Sequence, residues 1–311
     1  NSTTTDGTFT VTQGKVEGLS LTSGRYGGSD GVINCGSPTS LDNTFATGAS
    51  WAAWIKADND GEGSDGRIFD KGRVIWNVES ESSSTMKLRL YQYFSGTDAL
   101  WTTTDRVINA NQWHHVVVTY DNGAVSNDPI MYVDGVVVAI TEGSTGTGTR
   151  DSDADFNFNI GNNTAGTKTF HGNIKDLRVY NRILDADAVA SLYSNTYLQT
   201  PNHYWRINEG TGTAIEDEGT ETDADGTAAD SFSFTNGTLD LDGTLTIATN
   251  GILSAPRGEL EIHGTTGVDR AGSFIHNNGT VDFTSASTTI QGTTMTGNNA
   301  FYIVKSTGNT W

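Results

Sequence analysis

The stretch WNVESES puts two carboxylates, Glu79 and Glu81, two positions apart, and on a β-strand that spacing projects both onto one face. Two carboxyl groups about 5–10 Å apart across a glycosidic bond are what glycoside hydrolysis requires. The serine run Ser82–Ser84 that follows reads as a strand end entering a loop, which favours a structural reading of the pair. His114 and His115 are adjacent, so they point to opposite faces of a strand and do not converge on one substrate. Ser-His-Asp catalysis has even less support than the carboxylate pair. A single cysteine, Cys35, and 6 scattered histidines supply no zinc set.

Two loops are rich in oxygen. DNDGEGSDG offers Asp58, Asp60, Glu62 and Asp65, and DSDAD offers Asp151, Asp153 and Asp155. Calcium takes about six to eight oxygens, so both loops are candidates for it. The first loop fails as an EF-hand because its twelfth position is Phe69, where that motif needs Glu. Acidic loops on an acidic chain are ordinarily just solvated, and that reading stands beside the metal one. A third group is aromatic: Tyr91, Tyr93, Phe94 and Trp101 lie in and just after one long strand, near a Gly-Thr-Asp loop. Aromatic faces stack on the apolar faces of sugars while Asn and Asp bind hydroxyls. Core packing is the competing explanation for these four. Trp51, Trp54 and Trp113 are read as core.

The elements that must carry these residues are strands. ASWAAWIKA, RIFDKGRVIW, QWHHVVVTYD, PIMYVDGVVVAI and FHGNIKDLRVYNRIL follow one another with turn residues between them, the pattern of a two-sheet sandwich. SWAAWIKA and WHHVVVTY are too densely apolar to have a wet face, so both are expected to be central strands. In MKLRLYQYF, Met86, Leu88 and Leu90 share one face and Tyr91 and Tyr93 the other. Either both faces are partly covered or a bulge shifts the register. The one convincing helix is Asp185–Tyr193, N-capped by Asp185, with Val189, Leu192 and Tyr193 as its apolar stripe. At about two turns it is expected to plug an end of the sandwich.

Near Ser194 the composition shifts. SNTYLQTPNH reads as a linker, and an acidic, turn-rich stretch runs from Tyr204 to Gly226. From Ser231 the strands shorten to TLDL, TLTI, ELEI and TVDF at roughly ten-residue spacing, punctuated by Gly or Asn-Gly. Stacked coils of a solenoid fit these better than an irregular sandwich does. The expected division is therefore 1–195, an acidic linker or diverged copy over 196–230, and β-repeats over 231–311. The chain opens at Asn1 without Met or signal peptide, read as a mature or trimmed piece, and it ends at Trp311 inside the repeats, read as one part of a longer array.

Charge and composition exclude several partners. There are 18 basic against 37 acidic residues, a net charge of −19, which repels phosphate backbones and makes nucleic acid an unsuitable partner. No apolar run is long enough to span a membrane as a helix. One cysteine allows no intrachain disulfide, and its VINC context reads as a small buried hydrophobe.

Taken together, SWAAWIK, IFDKG, QWHHVVVTYD, MYVDG, the IGNN of Ile160–Asn163 and FHGNIKDLRVYNRILDADAVASLY resemble a laminin-G-like, concanavalin A-like jelly roll of bacterial and phage surface proteins, over about residues 10–195. The C-terminal repeats resemble, by composition, the Asn-Gly-Thr-rich repeats of phage fibres and adhesins. The fold expected is thus all-β: a jelly-roll sandwich followed by a solenoid-like segment. The resemblance implies a Ca²⁺ site with Asp176 of KDLRVY among its ligands; bridging of strand ends by Asp176 is the alternative. Related hydrolases carry a Glu-Asp-Glu strand, from which Glu79 and Glu81 depart. Family members open on a Trp strand followed by Glu-Gly, which appears here only later, as Tyr204–Gly210. That segment either begins a second copy, folds back onto the first, or matches by coincidence. The function expected is a non-enzymatic surface structural or adhesion protein, extracellular or on a virion, with a glycan or cell-surface polysaccharide as partner and assembly as a homo-oligomer, filament or virion part. A secreted bacterial adhesin and a jelly-roll hydrolase using Glu79 and Glu81 are the alternatives.

Overall fold

The computed structural model describes residues 2–5, 9–17, 21–196, 199–264, 268–285, 290–292 and 300–307. The chain divides into two compact units: 24–233, and a second built from both ends of the chain, 1–23 with 234–311. The division expected from sequence put the first residues with the jelly roll. Instead, strand Ser2–Thr5 pairs in parallel with Thr238–Leu241, and Phe9–Glu17 pairs in parallel with Leu245–Ser254. The 24–233 unit is therefore an insertion in the sequence of the other.

In the 24–233 unit one sheet runs in the order Ile140–Ser144, Ala99–Thr103, Thr85–Gln92, Val74–Ser82, Asp65–Asp70, Asn159–Ile160, Val32–Asn34, Gly226–Ala229 and Ala214–Ile215. The other contains Val136–Val138, Ile130–Val133, His114–Tyr120, Ala49–Ala57, His171–Tyr180 and Ser23–Gly27, with His203–Trp205 also paired to His171–Tyr180. Pairing within both is antiparallel. A seam of aromatic rings joins the layers. Trp51 stacks on Phe69 at 4.3 Å and meets Phe158 at 5.1 Å, while Phe158 in turn stacks on Trp205 at 5.1 Å. All four rings are fully buried.

Strand parity explains the dense apolar runs and corrects one expectation. Trp51, Ala53 and Ile55 face inward, so Ala52 and Trp54 face outward. Ala52 is nevertheless buried, because the helix Ala186–Ser194 lies on that outer face. Val189 and Leu192 pack there against Ala52, Val117, Tyr132 and Tyr180. The helix covers a sheet and does not plug an end. Trp54 is half-buried beside it, stacked on Tyr193 at 5.8 Å, and Trp113 is half-buried with the Lys175 ammonium 5.0 Å from its ring centre. Of the three tryptophans read as sealed between layers, Trp51 alone is.

Two landmark glycines have steric causes. Gly161 of IGNN has φ 81, and a Cβ there would lie 1.9 Å from the Tyr26 ring. Gly172 of FHGNIK has φ 144, and a Cβ there would lie 2.1 Å from the Lys56 carbonyl. The Tyr204–Gly210 segment folds back onto the sandwich: Trp205 pairs with Leu177, is fully buried, and donates from Nε1 to the Ala224 carbonyl at 2.8 Å.

The second unit consists of parallel sheets. Leu239 pairs with Leu260, Leu260 with Val281, and Val281 with Val304. In the other sheet Leu245 pairs with Val268 and Val268 with Ile290. Each step advances the chain by just over twenty residues, and each coil contributes a strand to both sheets, which is how stacked coils pair. Leu239, Leu241, Leu245, Ile247, Leu260, Ile262 and Phe274 fill its interior.

Candidate functional site

Four strands share one polar and aromatic outer face, buried at Arg67, Asn77 and Ile75 and half-buried at Arg89, Tyr91 and Tyr93. Across them, Arg67 aligns with Asn77, Asn77 with Arg89, and Arg89 with Thr102. In the neighbouring row Ile75 aligns with Tyr91 and Tyr91 with Leu100. Alternation fixes this arrangement: Met86, Leu88 and Leu90 turn inward and are fully buried, so Arg89, Tyr91 and, beyond the strand, Tyr93 turn outward. A shallow cavity of about 210 Å³ lies between Arg67, Ile75, Arg89, Tyr91, Tyr93 and Leu100.

The two tyrosine rings meet edge to face at 4.9 Å, and the Arg73 guanidinium lies over Tyr93 at 5.2 Å. Tyr91 donates to Asp98 Oδ2 at 2.9 Å, and partial burial together with that carboxylate pushes its phenol up to about 12. The arginines are held in place by acids. Arg89 bonds Glu79 Oε2 at 2.6 Å, Asn77 Oδ1 at 3.2 Å and Asp65, while Arg67 bonds Asp70 Oδ2 at 3.1 Å and Asp65. Such a network fixes planar donors and acceptors beside aromatic edges, which suits hydroxyl recognition with apolar stacking.

Tyr91 and Tyr93 are thus brought together, both half-buried on the outer face. Phe94 and Trp101 are not: they are 4% and 1% exposed. Trp101 aligns with inward-facing Leu90, meets Tyr120 at 5.1 Å and donates to Asp128 at 2.8 Å. Glu79 is committed to Arg89 and Glu81 is exposed, and a bulge with Ser80 at φ 57 breaks the alternation between them. The shared face on which the hydrolase reading relied is therefore lost.

The expected metal ligands also separate. Asp58 pairs with Arg25 at 2.6 Å, Asp60 accepts from the Glu81 amide at 3.0 Å, Glu62 accepts from the Thr169 hydroxyl at 3.1 Å, and Asp65 is shared by Arg67, Arg89 and Lys168. Asp176 sits at a bulge with φ 52, accepts from the Tyr204 hydroxyl and lies 3.6 Å from Arg178. In the second loop, Asp151 lies 3.9 Å from Arg73, Asp155 is exposed, and Asp153 accepts from the Asn43 amide at 2.6 Å and lies 3.6 Å from Lys71. Asp155 apart, these carboxylates each answer a nearby donor, and they do not form a common oxygen cage, so the set does not fit a calcium ion. Among the described residues, one group of metal-ligating type does converge, Asp240, Asp242 and His263 in the parallel-sheet unit, all exposed or half-buried.

At the rim of the sandwich a larger cavity of about 550 Å³ lies among Ala46, Phe94, Asn122, Ala124, Thr149 and Arg150. Sequence reasoning did not single out Arg67, Arg73, Arg89, Asn122 or Arg150. The two-residue period that set Tyr91 on the face away from Leu90 also sets Arg89 there, so that one was findable. The rim residues come from loops, whose convergence no periodicity records.

Comparison with known proteins agrees with this architecture. The model of the concanavalin A-like lectin/glucanases superfamily, in its laminin G form, matches residues 27–190. No curated protein sequence matches the chain. Among solved structures, a candidate carbohydrate-binding protein from Bacteroides ovatus is similar, with 18% identity and a TM-score of 0.51 over 69% of this chain. The chain spans 59% of that protein's length. A heptameric pentraxin from Limulus polyphemus is similar over 70% of this chain and 95% of its own, with 14% identity and a TM-score of 0.49. With its matched segment coinciding with the sandwich and more than half its length covered, the chain belongs to the concanavalin A-like lectin/glucanases superfamily.

Proposed function

We propose that this protein is a non-enzymatic glycan-binding component of an extracellular surface, and that its sugar site is the outer face around Tyr91 and Tyr93. The observation that carries the reading is the half-buried tyrosine pair of the outer face, 4.9 Å apart, beside arginines already fixed by Asp65 and Glu79. Those acids are spent on positioning, which fits recognition and leaves no free acid–base pair at Glu79 and Glu81. The name of the Bacteroides ovatus neighbour supports the same class of ligand. The parallel coils support a role in display, as in a virion appendage or decoration, or an adhesin. A filament or homo-oligomer is the assembly in which such a part would act. No described helix is long and apolar enough to cross a membrane.

A glycan array tests the reading. Wild type should retain a defined family of oligosaccharides, and Tyr91→Ala/Tyr93→Ala should lose them. An array that is blank for wild type removes the binding role. Reducing ends released from the retained glycans, and abolished by Glu79→Gln/Glu81→Gln, would establish the hydrolase instead.

A further inference from the structure

We propose that the rim cavity is a second ligand site, one that takes a sugar bearing a carboxylate, with Arg150 as its anion partner. This rests on the reading of the protein as a glycan binder and adds a site distinct from the Tyr91 face. At about 550 Å³ the cavity has the size of an ordinary small-ligand site. Its walls are small residues, Ala46, Gly123, Ala124 and Gly148, and Phe94 supplies an apolar surface among them.

Polar groups converge on this space. The Asn122 amide is anchored, with Nδ2 donating to Gln92 Oε1 at 2.8 Å, while its Oδ1 is buried without a hydrogen-bond partner. Arg150 is the single charged residue lining the cavity. Its backbone is fixed by a bridge to Phe94, and its Nη1 donates to Asn43 and to the Asp151 carbonyl. Among the described residues no carboxylate lies within ion-pair distance of its guanidinium, and Nε and Nη2 carry no hydrogen bond. On a chain of net charge −19, a guanidinium with spare donors and no acid within ion-pair distance stands out, although its charge reaches Asp153 nearby. Arginine presents paired N–H groups that match a carboxylate. No carboxylate lines the cavity itself, Asp121 lying behind Gly123 and Asp153 near Arg150.

The test uses the whole chain and three probes, D-glucuronate, its methyl ester and D-glucose, read by amide-resolved NMR titration. Glucuronate should shift the amides of 122–125 and 148–150 saturably. The ester and glucose should bind at least ten-fold more weakly. Arg150→Gln should lower glucuronate affinity by ten-fold or more, and Arg150→Lys by less. Equal binding of acid and ester by the native protein would overturn the proposal without any substitution. So would glucuronate that leaves the rim amides unmoved, or affinity that Arg150→Gln does not change. An array with hits on neutral glycans but no rim response sinks this site alone. Rim binding of glucuronate with no array dependence on Tyr91 and Tyr93 sinks the outer-face site alone.

Discussion

Lys71 of the IFDKG landmark shows what single residues do in this rim. Its side chain is wholly buried, and its Nζ lies 3.2 Å from Asp42 Oδ1, 3.6 Å from Asp153 Oδ1, and 3.0 and 3.1 Å from the carbonyls of Asp153 and Phe156. A buried cation surrounded by four oxygens is an organising centre for three loops. Removing it leaves two acids without their partner, one of them nearly buried. Lys71→Met is therefore expected to cost about 3–5 kcal/mol in denaturant unfolding, and a loss under about 1 kcal/mol would contradict the account. His115 sets a pH dependence. Its ring lies 5.2 Å from Trp54 and 6.2 Å from Tyr193, and burial, aided by Arg178, lowers its pKa to about 4. The unfolded value is about 6.5. Between the two, the unfolded chain binds a proton that the folded chain refuses, so stability falls as pH drops from about 6.5 to about 4. The loss should be on the order of 3 kcal/mol. Burial raises Asp70 and Asp153, which act in the opposite sense, so the difference between wild type and His115→Phe isolates the histidine. Identical pH profiles of melting for the two proteins would refute the assignment.

At the scale of elements, the helix is held by its cap and its stripe. Asp185 Oδ1 accepts from the Ala188 amide at 2.8 Å, and Asn195 closes the other end in a left-handed conformation. Asp185→Ala should cost about 1 kcal/mol, and Leu192→Ala about 2–5 kcal/mol, both read by chemical denaturation. Equal, negligible effects would mean that the helix is not part of the cooperative unit. The helix, its cap and its stripe were legible because each is a local signal. Its seat on the outer sheet face was not, since sequence does not say which surface a stripe meets. Strand parity was equally legible around Leu88 and Leu90, and it set Tyr91 and Tyr93 on the opposite face. It failed for Trp101, which follows a loop and re-enters the sheet opposite Leu90, so its face depends on register. It failed again at Glu79 and Glu81, where the bulge at Ser80 is invisible in residue types. Asp176 falls at a second such bulge, which turned an expected ligand into a partner of Tyr204 and Arg178.

Over the whole molecule, the jelly roll was readable because its landmark segments each carry a steric or ionic reason for their residues. The insertion was not, because a parallel pairing of Thr3 with Leu239 spans most of the chain and leaves no local mark. The 24–233 unit contains its own aromatic seam and both of its sheets. Expressed alone, it should melt in one cooperative transition and keep its sugar affinity. Failure of this piece to fold would mean that its stability depends on the coils. The most direct measurement of the central claim is calorimetric titration of the strongest array ligand into wild type and Tyr91→Ala/Tyr93→Ala. Loss of stacking at both rings should weaken binding by roughly ten-fold or more with melting unchanged. The same dissociation constant in both proteins would contradict the outer-face site.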